Sequence, residues 1–441
     1  MSPHQSSLKI LVLRGSGWTI AGHGVSVLIR LTSSLILTRL LFPEVYGVMS
    51  LVWMLMYGLA MFSDVGLGPA IIRDRRGDDP DFLNTAWTVQ AIRGAVLWLC
   101  SCLAAGPMAL LYGQPELAQL IPAAGLTALI AGFNSTALYT CRRHMDFKRL
   151  TLLELYAQIA GFAASALWAL VHPTAWAIVG GTLISSLFSA FVSHIYLPGI
   201  RNGFRWETAS LGVLIGFGKW IFLSSVFAFF SVQADRLLLG HYLDMAQLGI
   251  YSIAIMLSEA VQSVIHKINY GVMLPAYGKV VQDEVRRLRS VIYRTRLGID
   301  MLLVLPIGAL MVLSSWIVDV LYDGRYQEAG WILQILCVRL LMTSALANSE
   351  TCLVALGHPK YAFMQSACRG IWILVCIPAG WSLAGIKGVV WAVALSELPV
   401  MAVLWAGMVR KQMFSLRSEF RSLLFAGVGA LLGMGLSQVL S

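Results

Sequence analysis

Charged residues are scarce in this chain of 441 residues, and long polar segments are missing. Only 12% of the residues are charged, whereas 58% are hydrophobic. About a quarter of the residues of a soluble globular protein are charged, so this composition excludes an ordinary soluble fold. Apolar runs of about 20 residues recur from Trp18 onwards, and each is long enough to cross a bilayer as a helix. We therefore expect an all-α polytopic membrane protein.

The sequence also lacks the short motifs that mark common enzyme and metal sites. It contains no Walker A loop, no HExxH helix and no GxSxG turn. Its seven cysteines all lie in apolar runs, none of them in a CxxC pair, which is typical of buried thiols rather than of metal ligands. The connections between the apolar runs are too short for a catalytic domain. We predict that the protein is not an enzyme and that it holds no metal and no cofactor.

Twelve of the apolar runs are predicted to be membrane-spanning helices. Their bounds are residues 18–41, 45–72, 84–111, 117–141, 150–171, 174–197, 211–240, 246–275, 297–321, 329–356, 361–384 and 388–409. The first run is longer than the apolar core of a signal peptide and is expected to be retained. A further run, 423–440, is also long enough to cross, and we predict that it forms a thirteenth span. Between the eighth and ninth spans, residues 276–296 carry apolar residues on one helical face and arginines around the rest, which predicts a helix in the membrane interface.

A motif that occurs twice divides the chain into two halves. Residues 37–51 read LTRLLFPEVYGVMSL, and residues 234–253 read ADRLLLGHYLDMAQLGIYSI. Each copy has Arg-Leu-Leu, a short polar corner and a glycine before the next apolar run. Six predicted spans separate the copies, and an even number preserves orientation, so we expect two parallel six-helix bundles. The predicted domains are residues 1–205 and 206–409, followed by a basic segment and the extra hydrophobic helix in 410–441.

The basic residues predict the orientation of the chain. With the N-terminus in the cytoplasm, the inner segments hold every lysine and arginine outside the spans except Arg325 and Lys387. This distribution satisfies the positive-inside rule. The net charge of +10 therefore lies in short loops next to the membrane, where it favours contact with anionic lipid headgroups rather than with nucleic acid.

Several lysines and arginines lie inside the predicted spans, where an arginine at the centre costs roughly 2.5 to 3.5 kcal/mol. Arg30 and Arg339 lie near mid-span, too deep for their side chains to reach the headgroups. Because fixed cations in a hydrated cavity bind phosphate well, we predict a set of cations that line a substrate cavity. The set is Arg30, Arg339, Arg93, Arg236 and Lys267. There is a structural alternative for the cations that lie near the ends of spans. Their side chains could extend to the headgroups, and Arg236 could form a local pair with Asp235.

Four intramembrane carboxylates are predicted to couple transport to an ion gradient: Glu259, Glu397, Asp235 and Asp64. Glu259 and Glu397 lie near mid-span, where each could carry a proton or neutralise Arg30 or Arg339 as a buried pair. Asp64 lies in a Ser-Asp-Val-Gly-Leu-Gly turn. It is either a cavity acid or part of a capped, irregular helix end.

Four stretches of the sequence resemble the polysaccharide transporter family. They are RLTSSLILTRLLFPEVYG (30–47), FSDVGLGPAIIR (62–73), ADRLLLGHYLDMAQLGIYSIA (234–254) and VLYDGRYQEAGWILQIL (320–336). This family contains bacterial flippases of lipid-linked oligosaccharides and is part of the multidrug/oligosaccharidyl-lipid/polysaccharide exporter superfamily. The resemblance implies two six-helix bundles around a central cavity that opens alternately to either side of the bacterial inner membrane.

The implied substrate is an undecaprenyl-diphosphate-linked oligosaccharide, a repeat unit of O-antigen, capsule or exopolysaccharide, moved from the inner to the outer leaflet. A polysaccharide polymerase and a chain-length regulator are the implied protein partners. A multidrug and toxin extrusion transporter is an alternative with the same fold. It should have a cavity dominated by carboxylates and aromatic rings that hold cationic drugs. A membrane polymerase or ligase of the same pathway is the alternative from another class, and it would need a large outer loop.

Overall fold

The described part of the chain is almost entirely helical. The computed structural model describes residues 3–63, 66–283 and 285–440, and side chains within these ranges except for 3–16, 209–224, 282, 283, 285–287, 417, 418, 420, 423, 439 and 440. The helices are α1 Pro3–Leu40, α2 Pro43–Phe62, α3 Leu67–Arg73, α4 Pro80–Leu111, α5 Leu117–Gly132, α6 Ala137–Arg143, α7 Phe147–Val171, α8 Ala175–Tyr196, α9 Thr208–Tyr242, α10 Met245–Ile268, α11 Leu274–Asp283, α12 Val285–Ile299, α13 Leu305–Leu321, α14 Ala329–Ala355, α15 Lys360–Ala394, α16 Glu397–Arg410 and α17 Leu416–Leu440. They form two compact units, which divide within α9 between Val226 and Phe227.

Among the described residues, nine helices are long and apolar enough to cross a membrane, or up to ten if a bent pair counts as one span. The polytopic α-helical character is therefore confirmed, while the number of twelve or thirteen spans stays a prediction. The bent pair is α5 and α6, at 60°, within the predicted fourth span. The predicted second span is interrupted, because α2 ends at Phe62 and α3 begins only after Gly66, whose φ is 69°.

The predicted eleventh and twelfth spans fall in one helical stretch that contains a sharp corner. Ala384 and Gly385 have non-helical backbone angles, and the φ of 57° at Gly385 is one that L-residues rarely adopt. The segments on either side run antiparallel, since the Trp372 indole N–H donates to the Ala392 carbonyl at 2.9 Å. The corner lies where the sequence predicts the turn between the two spans.

In the N-terminal unit, small residues let neighbouring helices approach closely. A Cβ atom at Gly94 of α4 would lie 2.7 Å from the Ala128 carbonyl oxygen of α5. At Gly161 of α7, a Cβ would lie 2.8 Å from the Gly181 carbonyl oxygen of α8. Such close backbone contact is how helices associate in lipid, where hydrophobic burial offers little driving force.

Three segments that the sequence places on the inner side meet at one end of this unit. Arg143, at the end of α6, donates to the carbonyls of Ile71 and Asp74, at 2.9 and 2.6 Å, and pairs with Asp78 at 3.1 Å. The segment after α8 joins them, since the Asn202 amide donates to Thr136 at 2.7 Å. The three segments therefore lie together at one end of the unit, and the positive-inside pattern predicts that this end faces the cytoplasm.

A further ion pair on this face fixes the loop before α4. Arg76 lies 2.6 Å from Asp79 and 2.9 Å from Glu207. The hydrogen bond from Arg76 lowers the pKa of the Asp79 carboxyl below its ordinary value. Asp79 also accepts from the Asp81 backbone N–H, so this carboxylate caps the start of α4.

In the C-terminal unit, two helices widen into π-turns, at Asn269–Met273 and Asp300–Val304. A proline follows each, Pro275 and Pro306. A proline lacks the N–H of a helical hydrogen bond and its ring collides with the carbonyl four residues earlier, which a π-turn relieves. The Tyr277 hydroxyl lies 3.1 Å from Thr295 across the α11–α12 hairpin, so the two π-turns lie level with each other.

The prediction that residues 276–296 form a helix in the membrane interface is wrong. Leu288 and Ile292 of α12 are 0% and 2% exposed, and they pack in a core with Tyr277, Leu353 and Leu404. The apolar face of this segment is thus buried against α11, α14 and α16 rather than turned toward lipid. Amphipathic periodicity alone does not distinguish the two, because both partners are apolar.

The last helix, α17, packs along α13 and runs in the same direction. Ser422 donates to Asp300 at 2.8 Å, and further along both helices a Cβ at Gly433 would lie 3.0 Å from the Ala309 carbonyl. Gly429 makes another close approach between them. The final apolar run therefore belongs to the folded C-terminal unit, beside a predicted span from the inner to the outer side.

Candidate functional site: a polar stripe on α10

Polar residues repeat every three or four positions along α10 and into the π-turn. This spacing places them on one face of the helix. Nearer the start of α10, before the stripe begins, Tyr251, Ile253 and Ile255 are buried. Because lipid cannot satisfy a polar face within a membrane span, the stripe must meet protein, water or a polar ligand. The stripe is Glu259, Gln262, Ser263, His266, Lys267 and Tyr270.

At one end of the stripe, two predicted site residues form an ion pair. An Nη atom of Arg236 on α9 lies 2.8 Å from Glu259, and Arg236 also donates to Gln233 at 2.8 Å. The local pair of Asp235 with the Arg236 guanidinium is not what the structure shows. Asp235 accepts instead from the Tyr251 hydroxyl at 2.7 Å and from the Arg236 backbone N–H at 2.8 Å.

In the middle, one carboxylate serves two arginines. Glu397 is 1% exposed, and an Nη atom of Arg369 lies 2.9 Å from each of its oxygens. Nε of Arg339 lies farther away, at 3.9 Å, and Arg339 reaches Gln262 of the stripe only at 3.5 Å. Arg339 is therefore loosely held, and most of its five N–H donors have no close acceptor among the described residues.

The other end of the stripe combines aromatic rings with charge. The Tyr270 hydroxyl donates to Glu350 of α14, and the His266 ring lies 6.2 Å from the Tyr270 ring. The charges of Glu350 and Arg339 both act on His266. Lys267 is exposed beside them and has no ion pair within the described part of the chain.

The remaining predicted site residues lie in the N-terminal unit. Arg30 is exposed on α1 and makes no ion pair with any residue that the structure describes. Arg93 donates to the Ala60 carbonyl at 2.8 Å and to the Ser63 hydroxyl at 3.0 Å, so it caps the C-terminus of α2. Asp64 lies outside the described residues.

The sequence analysis did not include Arg369, Gln262 and Tyr270 among the candidate site residues. Arg369 is nevertheless the nearest partner of Glu397. The stripe itself carries a signal that could have found it, since polar residues at helical spacing inside an apolar run are unusual. Tyr270 and Gln262 follow from that signal, whereas the partners on α14, α15 and α16 do not.

Comparison with known proteins identifies the family. A family model described as "Polysaccharide biosynthesis protein" matches residues 36–330. The chain belongs to this family. It is 22% identical over 388 residues to the lipopolysaccharide biosynthesis protein WzxC of Escherichia coli (strain K12), covering 87% of this chain and 78% of that protein. It is 21% identical over 397 residues to the succinoglycan biosynthesis transport protein ExoT of Rhizobium meliloti (strain 1021), covering 89% and 79%.

Solved structures show the same fold in transporters. The lipid II flippase MurJ in an inward closed conformation aligns with a TM-score of 0.71 at 12% identity, over 97% of this chain and 98% of MurJ. An inward-facing multidrug resistance MATE family transporter of the MOP superfamily aligns with a TM-score of 0.70 at 15% identity, over 88% and 94%. At these identities the likeness establishes the fold alone, and it confirms the prediction of a polytopic all-α membrane protein.

Proposed function

We propose that this protein is a flippase that moves an undecaprenyl-diphosphate-linked oligosaccharide from the inner to the outer leaflet by alternating access. Its family and the named roles of WzxC and ExoT in polysaccharide biosynthesis support a glycan substrate. The observation that carries the mechanism is the polar stripe with the loosely held Arg339. A guanidinium with free donors in a membrane-embedded site can bind two oxygens of a diphosphate at once.

Within this proposal, the predicted cations have different tasks. Arg339, Arg30 and Lys267 contact the anionic substrate, because none of them makes a close ion pair within the described residues. Arg93 and Arg236 hold neighbouring helices through Ala60 and Glu259. Glu259, Glu397 and Asp235 are proposed to take part in ion coupling by exchanging partners during the transport cycle.

The proposed topology follows the predicted domains. The N-terminus lies in the cytoplasm, twelve spans form two halves at residues 1–205 and 206–409, and the helix within 410–441 crosses once more. The location is the bacterial inner membrane. A polysaccharide polymerase and a chain-length regulator are the proposed protein partners.

The MATE-like alternative, a multidrug exporter, is less well supported by the stripe. An exporter of cationic drugs needs carboxylates that are free to bind its substrate. Here Glu259 is paired with Arg236, and Glu397 is paired with Arg369. Both of these carboxylates are thus already paired, whereas Arg339 keeps donors for an incoming ligand.

The test is glycan export by a strain whose own gene is deleted. Wild-type protein should restore surface polysaccharide, and Arg339→Gln should not, although its membrane abundance and thermal stability should be unchanged. Stability should persist because Arg369 still neutralises Glu397. Arg339→Lys should restore export only in part, since an ammonium keeps the charge but loses the planar fork.

The matched control is Arg325→Gln, which removes a partly exposed arginine paired with Asp323 and should export normally. Normal export by Arg339→Gln would refute the role of this arginine. If deletion of the gene left both surface polysaccharide and its lipid-linked precursors unchanged, the proposed function itself would be wrong.

A further inference from the structure

An apolar cavity lies beside the last helix of the C-terminal unit. Its volume is about 170 Å³, and its walls come from α14, α16 and α17 and from the second π-turn. Lining residues include Val304, Leu341, Met401, Trp405 and Ala426. Several of them, such as Leu341 and Met401, are only partly buried, so the cavity is reachable from the surface of this unit.

One end of the cavity is formed by residues in the first two turns of α17. These are Glu419 and Ser422. The Glu419 carboxylate is engaged by both Nη atoms of the buried Arg296, so it does not present a free negative charge to the cavity. The cavity therefore begins close to the N-terminal end of α17 and continues along its apolar part.

The segment that leads into this end is strongly basic. Residues 410–421 contain Arg410, Lys411, Arg417 and Arg421, against the single, neutralised acid Glu419. Nε of Arg421 and the indole N–H of Trp405 are buried without a hydrogen-bond acceptor among the described residues. The cavity is thus lined by the Trp405 indole, a donor without an acceptor, and it begins in the helix into which the basic segment leads.

We propose that this cavity binds an acyl chain of an anionic phospholipid, whose phosphate lies against the basic segment 410–421. A cavity of about 150 Å³ with apolar walls binds benzene, so this one holds a chain segment of about six carbons. Basic pockets between membrane helices bind the headgroups of anionic lipids on the cytoplasmic side. The lipid's ester oxygens supply the acceptor that the Trp405 indole lacks, and its phosphate supplies one for Arg421, whose Nη donates to the Tyr293 carbonyl only at 3.5 Å. This site is independent of the proposed transport function.

The experiment uses the purified full-length protein in a neutral detergent. Phosphatidylglycerol and phosphatidylcholine with identical acyl chains are added separately, and bound lipid is measured by native mass spectrometry together with the thermal unfolding temperature. We expect one retained phosphatidylglycerol, a higher unfolding temperature with this lipid than with phosphatidylcholine, and no effect of inorganic phosphate at the same concentration.

Two variants test the two parts of the site. Ala426→Phe fills the cavity and should abolish retention of the lipid, whereas Ala402→Phe, at an exposed position of α16, should retain it. Arg421→Gln should weaken phosphatidylglycerol binding about fivefold, the effect of one basic residue near an anionic headgroup, and leave phosphatidylcholine binding unchanged. Because Arg421→Gln leaves the apolar walls intact, it remains informative if Ala426→Phe fails to fold.

Three results would overturn the proposal. Equal retention of the two phospholipids would show that no anionic headgroup is recognised. Equal loss of lipid from Ala426→Phe and Ala402→Phe would show that the cavity is not the site. Displacement of phosphatidylglycerol by undecaprenyl phosphate at equal concentration would assign the cavity to a polyprenyl chain instead.

Discussion

The buried charge cluster at the base of α17 allows a prediction whose sign can be worked out. Arg296 is 2% exposed, Asp300 is 1% exposed and Glu419 is 7% exposed. The two Nη atoms of Arg296 bind both oxygens of Glu419, and its Nε lies 3.6 Å from Asp300. Ser422 also donates to Asp300 at 2.8 Å. Arg296 thus faces two carboxylates, and it lies closer to Glu419 than to Asp300.

This asymmetry predicts an order of stabilities for three single variants. Arg296→Met leaves two buried carboxylates without a cation, and breaking a buried pair costs about 3 to 5 kcal/mol. Glu419→Gln leaves Arg296 with Asp300, so we expect about 1.5 to 3 kcal/mol, the value of a hydrogen bond to a charged group. Asp300→Asn loses only the longer contact to Arg296, at 3.6 Å, and keeps an acceptor for Ser422, so its stability should stay within about 1 kcal/mol of the wild type.

The assay is thermal unfolding of the purified variants in one detergent, read as a ranking because membrane proteins commonly unfold irreversibly. Arg289→Met is the control on the same helix, since Arg289 is exposed and donates only to the Phe414 carbonyl among the described residues. The double variant Arg296→Met with Glu419→Gln should be more stable than Arg296→Met alone. If Asp300→Asn were as destabilising as Arg296→Met, the charge accounting would be refuted.

Three further predictions concern other contacts. Arg93→Gln should destabilise the protein by about 1.5 to 3 kcal/mol in thermal unfolding, because the end of α2 loses a charged donor, and export should fall only as far as abundance does. Gly429→Leu should separate α17 from α13 and lower the unfolding temperature. Gly427→Leu is the control and should not lower it, because there is open space around Gly427; equal effects of the two variants would contradict the close packing of α17 on α13. A protease-sensitive tag after Ser441 should be cut from outside in spheroplasts, since α17 runs parallel to α13, and protection of the tag would place the C-terminus inside.

Hydropathy was sufficient to locate most helices, because a bilayer demands long apolar segments and leaves few alternatives. It even placed the corner at Ala384 and Gly385 between two spans. The two π-turns were not predicted, although Pro275 and Pro306 mark them, and an irregular helix end in the turn that contains Asp64 was only one of two alternatives. Single residues within otherwise apolar runs cause such breaks. A mean hydropathy taken over a window of about 19 residues does not detect them, because one residue changes the mean very little.

The pairing of the buried charges could not be predicted in the same way. Depth identifies a charge that needs a partner, and both Arg339 and Glu397 were found by this argument. It does not identify the partner, because paired residues can lie at very different separations in the sequence. Arg236 and Glu259 are 23 positions apart, whereas Arg296 and Glu419 are 123 positions apart. The latter pair was not predicted, because residue 296 was assigned to the predicted interfacial helix and residue 419 to the segment 410–441. Only the packing of α17 on α13 brings the two together.

The unequal sharing of Glu397 is relevant to how a flippase could release what it binds. A diphosphate held by arginines without a neighbouring carboxylate would be bound too tightly to leave. Each pair of opposite unit charges about 4 Å apart contributes about 4 kcal/mol at an effective dielectric constant of 20. Passage through a membrane protein requires binding that is favourable enough for entry and weak enough for exit. With Arg369 held at 2.9 Å and Arg339 at 3.9 Å, the carboxylate can move toward Arg339 as a ligand leaves. Glu397→Gln should therefore bind substrate more tightly but release it more slowly, which a comparison of substrate affinity with export rate would measure. A parallel fall in affinity and export would contradict this exchange of partners.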